Sequence, residues 1–304
     1  LHYPLRRQRQ MCIRDRNLIS DLSFPQLISC ETECADVEIT ASRVAGQLPP
    51  HPSDVSFGCG MDIGWLENQT CSLLVENGNS IRYELKTGGN EQYLRTYILG
   101  WGMSMLAIQR NEVALHCSAI SDDAAAILFC GESGSGKSTL TSAYLARGYH
   151  LMADDMSFVS YHNETVMAKA AFPYQKLCRD AALRSGHPLD SLIYIDEAKD
   201  KYLVPCHEIF DDTSRPVKAI IILGKAPVSQ VWLHKLEGLD AFHACVNNLF
   251  LRHLLKEKKY APATAGQCLK IASKVPVYVI LRPLEADTTG EVIETAFAIT
   301  SKVR

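Results

Sequence analysis

The sequence predicts an α/β protein, and three observations carry that expectation. An apolar strand, Ala124–Cys130 (AAAILFC), runs into a glycine-rich loop, and the loop runs into an amphipathic helix. Strands and helices then stay mixed to the end of the chain. Ahead of them lies a β-rich stretch broken by turn residues. The 304 residues, 47% hydrophobic and 21% charged, have the proportions of an ordinary globular protein, which excludes disorder, collagen and a coiled coil. The length suits one large domain or two medium ones. A net charge of −3 argues against non-specific nucleic-acid binding. Apolar runs such as Ala124–Cys130 and Ala219–Leu223 are too short to span a bilayer, so no membrane partner is expected. Eleven cysteines without a CxxC pair read as a reduced, cytoplasmic protein.

The chain opens with a segment of different character. Arg6–Arg16 reads RRQRQMCIRDR, which matches the in-frame translation of a transposon-based sequencing-library adapter. Residues 1–16 are therefore expected to be an adapter artefact and disordered, with the true start lost ahead of residue 17. Removing the string takes out five arginines and one aspartate and leaves the remainder more acidic.

Residues 17–110 are expected to form a β-rich region ending in a helix. Asp36–Ala41, Cys71–Glu76 and Ser80–Lys86 cluster β-formers, and Pro49-Pro50, Gly58, Gly60 and Asn77-Gly78 supply turns. Gln92–Arg110 carries apolar residues at helical spacing, and Trp101, Met103 and Met105 fit its packing. Residues 111–304 are expected to form the second domain. Its strands are Val113–Ile120, Ala124–Cys130, Tyr149–Ala153, Met156–Tyr161, Thr165–Ala170, Val217–Leu223, Gln230–Leu233 and Val277–Leu281. Its helices are Lys137–Arg147, stopped by Gly148, then Gln175–Leu183, Gly238–Leu255, Thr264–Lys274 and Thr289–Lys302.

The loop Gly131–Ser138 reads GESGSGKS and matches GxxxxGK[ST]. Gly131, Gly134 and Gly136 let the backbone turn its N–H groups inward, with Ser133, Ser135 and Thr139 in the same stretch. Those groups and the helix N-terminus suit phosphate oxygens. Lys137 suits the β and γ phosphates of ATP, and Ser138 suits Mg²⁺. Asp154 and Asp155 follow a strand directly. A carboxylate there can hold Mg²⁺ through water, Asp154 being the one assigned to the metal, or take a proton from an acceptor hydroxyl. Adjacent residues point to opposite sides of a strand, so the two need not share a role. His116 lies on the strand before the loop strand. Cys30, Cys34, Cys59 and Cys71 match no usual zinc spacing.

The order His116, GESGSGKST at 131–139 and LMADD at 151–155 resembles HPr kinase/phosphorylase, whose phosphate-loop core is shared with phosphoenolpyruvate carboxykinase. The resemblance to the kinase itself covers roughly residues 112–160. A wider one, to small HPr-kinase-like proteins of bacteria, covers 17–304 through LHCSA, Pro173–Leu177, Asp200-Lys201-Tyr202 and the strand Val275–Tyr278. It implies a phosphate-loop core of that type, with ATP and Mg²⁺ as cofactors. It makes Asp154 or Asp155 the general base and gives His116 a catalytic place, near the phosphates or orienting an aspartate. Lys176, Arg179 and Lys201 become cations for phosphate or acceptor. The implied reaction is γ-phosphoryl transfer to a hydroxyl of a small protein, a peptide or a small molecule. Related kinases assemble, so a homo-oligomer is expected. Two departures bear on the acceptor: Thr139 stands where HPr kinase has glutamate, and VPCHEIFDDTSRPVKAIII stands where its glycine-rich signature loop would be. Phosphorylation of HPr and the reverse phosphorolysis therefore lie outside what the resemblance implies. Two other classes stay open: a non-catalytic nucleotide-binding regulator in a peptide-modification pathway, and an ATP hydrolase driving a conformational change.

Overall fold

The structure, a computed structural model, describes residues 9–31, 34–44, 46–184, 186–196, 200–252 and 262–302. It is mixed α/β with three sheets. The first sheet holds β1 (Arg9–Ile13), β2 (Arg16–Ser20), β3 (Ile28–Ser29), β4 (Val37–Ala41), β5 (Phe57–Cys59), β6 (Ile63–Glu67), β7 (Cys71–Glu76) and β8 (Ser80–Leu85), in the order β3-β1-β2-β4-β8-β7-β6-β5. The expected disorder over 1–16 is corrected for residues 9–16. Arg14 and Asp15 both have positive φ, the backbone of a two-residue hairpin turn between β1 and β2. Met11, Ile13 and Leu18 bury apolar side chains in the core, which pins the pair. Residues 1–8 lie outside the described residues.

The helix expected over Gln92–Arg110 is present in three joined pieces. α1 (Glu91–Tyr97) is capped by the Asn90 side chain, which accepts from the N–H groups of Gln92 and Tyr93. A π-helical turn at Ile98–Gly102 follows, then α2 (Met103–Gln109). Leu94, Ile98, Met103 and Leu106 are buried and join this helix to the first sheet and to β9 (Val113–Leu115) in one core.

The second sheet contains β9, β10 (Cys117–Ser121), β11 (Ala126–Gly131), β12 (His150–Ala153), β13 (Ser157–His162), β14 (Thr165–Ala168), β18 (Arg215–Ala226), β19 (Trp232–Leu236) and β20 (Val277–Pro283). β11 and β20 both run parallel to β18. β11 is buried throughout, and its residues alternate between two cores. Leu128 and Cys130 face the large one; Ile127 and Phe129 face a smaller one. The smaller core is covered by α3 (Lys137–Leu145) and α7 (Thr289–Lys302), where Tyr144 stacks on Phe297 with centroids 3.9 Å apart. Its hydroxyl meets Thr300 Oγ1 at 2.9 Å. α5 (Gly238–Asn247) and α6 (Pro262–Lys274) contribute Ala241, Cys245, Cys268 and Ile271 to the large core.

The third sheet is small, in the order β15 (Tyr174–Cys178), β17 (Lys201–Pro205), β16 (Ile193–Asp196). It corrects the helix expected over Gln175–Leu183. Pairing with β17 holds Tyr174–Cys178 extended, and only α4 (Arg179–Arg184) is helical. Tertiary pairing overrides local preference here. The helix expected over Gly238–Leu255 is likewise corrected: it ends at Asn247, because the next residues bond to β9. Among the described residues no helix is long and apolar enough to cross a membrane.

Candidate functional site

Strand direction brings the motifs together. β10 runs antiparallel to both β11 and β12, so β11 and β12 end at the edge where β10 begins. His116 precedes β10, the glycine loop follows β11, and Asp154-Asp155 follow β12. Three segments distant in sequence thus meet at one sheet edge. Asn248 and Phe250 close the wall: His116 N donates to Asn248 O at 2.7 Å, and Phe250 N donates to Ala114 O at 2.8 Å. The Phe250 ring lies 5.7 Å from that of His116.

The glycine loop depends on backbone that side chains disfavour. Gly131, Gly134 and Gly136 have φ of +131°, +82° and +111°. A Cβ at Gly131 would also overlap the Leu223 carbonyl oxygen on β18. Lys137 opens α3, and its ammonium donates to Gly131 O at 2.6 Å and Glu132 O at 3.1 Å. The same Nζ is 3.3 Å from His116 Nε2. The other ring nitrogen, Nδ1, is 2.9 Å from the Asp155 carbonyl oxygen. A carbonyl only accepts, so Nδ1 carries the proton and Nε2 takes the lysine's hydrogen bond. Burial lowers the His116 pKa, with Lys137 adding to it against Asp155, which fits the neutral ring. Burial also lowers the pKa of Lys137.

The paired aspartates divide their work. Asp154 is buried. Its Oδ1 accepts from Ser118 Oγ at 2.5 Å and its Oδ2 from Lys176 N at 2.7 Å. Burial raises its pKa, opposed by those two bonds. Asp155 has φ +70°, a left-handed backbone that aspartate tolerates better than most residues. Its side chain is 32% exposed, with Oδ2 3.4 Å from Lys176 Nζ. Burial alone would raise its pKa, but the charge of Lys176 above all, with that of Lys201, prevails and holds it at about 2. One carboxylate braces the structure; the other faces the cleft as an anion.

The cleft has a volume of about 860 Å³. His116, the glycines of the loop, Ser133, Lys137, Ser138, Thr139, both aspartates, Lys176 and Lys201 all line it. Two expected residues do not. Ser135 is buried, and its hydroxyl makes no hydrogen bond to a described residue. Arg179 turns away to Asp200, with contacts of 2.5 and 3.0 Å, and lies over the Tyr202 ring. Phe250, Arg184 and Arg282 are additions to the lining, and the buried Ser118 holds Asp154 behind it. The spacing of His116 and Ser118 in LHCSA, two residues apart, was the available signal for Ser118.

The residues fit a nucleotide triphosphate: a loop whose glycines permit inward N–H groups, a helix start and a lysine share one wall. For Mg²⁺ the cleft offers the Ser138 and Thr139 hydroxyls and the Glu132 and Asp155 carboxylates. Asp154, expected to hold the metal, has an oxygen committed to each of two protein donors. Among the described residues no cluster of three or more His, Cys, Asp or Glu is arranged to hold a metal by itself.

No protein-family model matches the chain, and no curated protein matches it. Among solved structures it is similar to the HPr(Ser) kinase/phosphatase from Coxiella burnetii, with 14% identity and a TM-score of 0.31. That match covers 62% of this chain and 98% of the other. At this level the likeness carries no weight for function.

Proposed function

We propose that the chain is an ATP-dependent kinase that transfers the γ-phosphoryl group to a hydroxyl, on a phosphate-loop core of the HPr kinase and phosphoenolpyruvate carboxykinase type. One observation carries the reading: Lys137 of the glycine loop and the ionised Asp155 face one cleft, joined through the His116 ring. Phosphoryl transfer is mostly positioning and charge neutralisation, and these parts supply both. The loop N–H groups and Lys137 hold the phosphates. Held at the Ser138 hydroxyl, Mg²⁺ would neutralise charge on the β and γ oxygens, which leaves Asp155 for the acceptor. The acceptor oxygen bonds to the γ phosphorus as the bridge to the β phosphate breaks, and ADP leaves with that bond's electron pair. The acceptor proton passes to Asp155. A carboxylate at about pKa 2 is a weak base. It suffices because the hydroxyl becomes strongly acidic only once its oxygen bonds to phosphorus, late in a loose transition state.

The Asp155–Lys176 pair also favours a second reading, a nucleotide-binding regulator whose carboxylate is engaged structurally. One experiment separates them. The protein is incubated with γ-labelled ATP, Mg²⁺ and size-fractionated bacterial extract, beside Lys137→Ala and Asp155→Asn. Label in a discrete acceptor, lost in both variants, supports the kinase. Tight nucleotide binding with no label in any fraction supports the regulator.

A further inference from the structure

Asp155 and Lys137 account for the nucleotide end of the cleft, but the part of its lining built by the third sheet is also charged. β15 and β17 alternate, so Leu177, Tyr202 and Val204 pack inward with α4 while Lys176 and Lys201 face the cleft. Arg184, in the last turn of α4, joins them there. Its side chain is exposed, and it forms no salt bridge with any described residue. Six lysines and arginines line the cleft against three carboxylates, Glu132, Asp154 and Asp155. This positive cleft belongs to a chain of net charge −3. Mg-ATP brings about two negative charges. A loaded cleft therefore stays positive, and three of its cations, Lys176, Lys201 and Arg184, stand on the third sheet and its helix rather than on the glycine loop.

We infer that the acceptor carries an anionic group, carboxylate or phosphate, beside the hydroxyl that is phosphorylated, and that Arg184 is the residue that selects it. The inference rests on the kinase reading and names its substrate class. Asp155 faces the hydroxyl, and the anion sits on the Arg184 side, where a guanidinium offers a forked pair of donors to either group. Asp155 would repel the anion, so the cationic wall fixes which end of the acceptor enters first.

The test is calorimetric titration of the protein loaded with Mg²⁺ and a non-hydrolysable ATP analogue, which occupies the glycine loop. The free probes are glycerol, glycerate and glycerol 3-phosphate. A short serine peptide with glutamate neighbours and its glutamine counterpart form a second arm, which tells a free acceptor from one within a chain. An anionic probe is expected to bind at least about tenfold tighter than its neutral partner in one arm. Arg184→Glu should abolish that preference, Arg184→Lys should keep part of it, and analogue affinity should change less than about twofold. Equal binding of neutral and anionic probes in both arms overturns the inference, as does an anion preference that survives Arg184→Glu. Analogue binding is read separately, and its failure sinks the kinase reading instead. The titrations are then run without nucleotide, where loss of the anion preference in Arg184→Glu still decides the matter.

Discussion

The Lys137 ammonium lies 3.3 Å from His116 Nε2, so the lysine of the glycine loop is tied to the residue that joins β9 to β10. The contact requires a neutral ring. Burial keeps His116 below its ordinary value of about 6.5. The unfolded chain takes up this proton before the folded one does. The stability due to this group is therefore complete above about pH 6.5 and declines as the pH falls below it. Denaturant titrations of the wild type and His116→Asn at about pH 7.5 and about pH 5.5 check this. The wild type should lose more stability over the interval than the variant; equal losses would count against it.

The two aspartates should respond oppositely to the same substitution. Asp154→Asn places an amide nitrogen against the Ser118 hydroxyl or the Lys176 N–H and should cost about 1–3 kcal/mol. Asp155→Asn should cost about 1 kcal/mol or less, since the Lys176 pair it loses is part-exposed. Its phosphoryl transfer should fall by about 10²–10⁴-fold. Denaturant melts and labelled-ATP assays on both variants check the division. A large transfer defect in Asp154→Asn with intact stability would reverse the assignment.

Gly131 and Gly134 differ in what surrounds them. Gly131→Ala meets the Leu223 carbonyl oxygen and Ser135 Oγ, and should cost more than about 3 kcal/mol. Gly134→Ala meets nothing within 4 Å and should cost only the left-handed backbone penalty of about 1–2 kcal/mol. Thermal melts of the two variants give the comparison.

Lys137→Ala should weaken nucleotide binding by about 10–100-fold, the loss of a charge-assisted contact to phosphate. Titration with a fluorescent ATP analogue measures it. An unchanged affinity would remove the lysine from the phosphate site.

Much of this site was legible in sequence because its parts are local. The glycines of GESGSGKS, the strand before them and the helix after them need no distant residue to be seen. Helix Thr289–Lys302 and strand Cys71–Glu76 have the expected bounds for the same reason, since their apolar spacing is complete within each segment. The misses have a common physical cause. Tyr174–Cys178 is a strand because Lys201–Pro205 lies beside it, and the two are separated by the whole of α4 and β16. Asn248–Phe250 leaves the helix because His116 N and Ala114 O require partners. Arg184 has no motif around it; only folding of the third sheet carries it into the cleft. Met11 and Ile13 lie in the string that matches an adapter translation, yet their alternation is what packs β1 against the core.

β18 lies between β11 and β20 and also pairs with β14, so the second sheet is assembled around a strand that enters late. The partners Cys130 and Ile222 are about ninety residues apart, which makes their contact expensive in loop entropy. On the ribosome the strand before the glycine loop emerges well before its parallel neighbour exists, with one edge unpaired and both faces apolar. The nascent chain thus passes through a stage in which a strand buried throughout in the finished fold is a sticky edge, and shielding that edge until residue 223 is made becomes a condition of its synthesis.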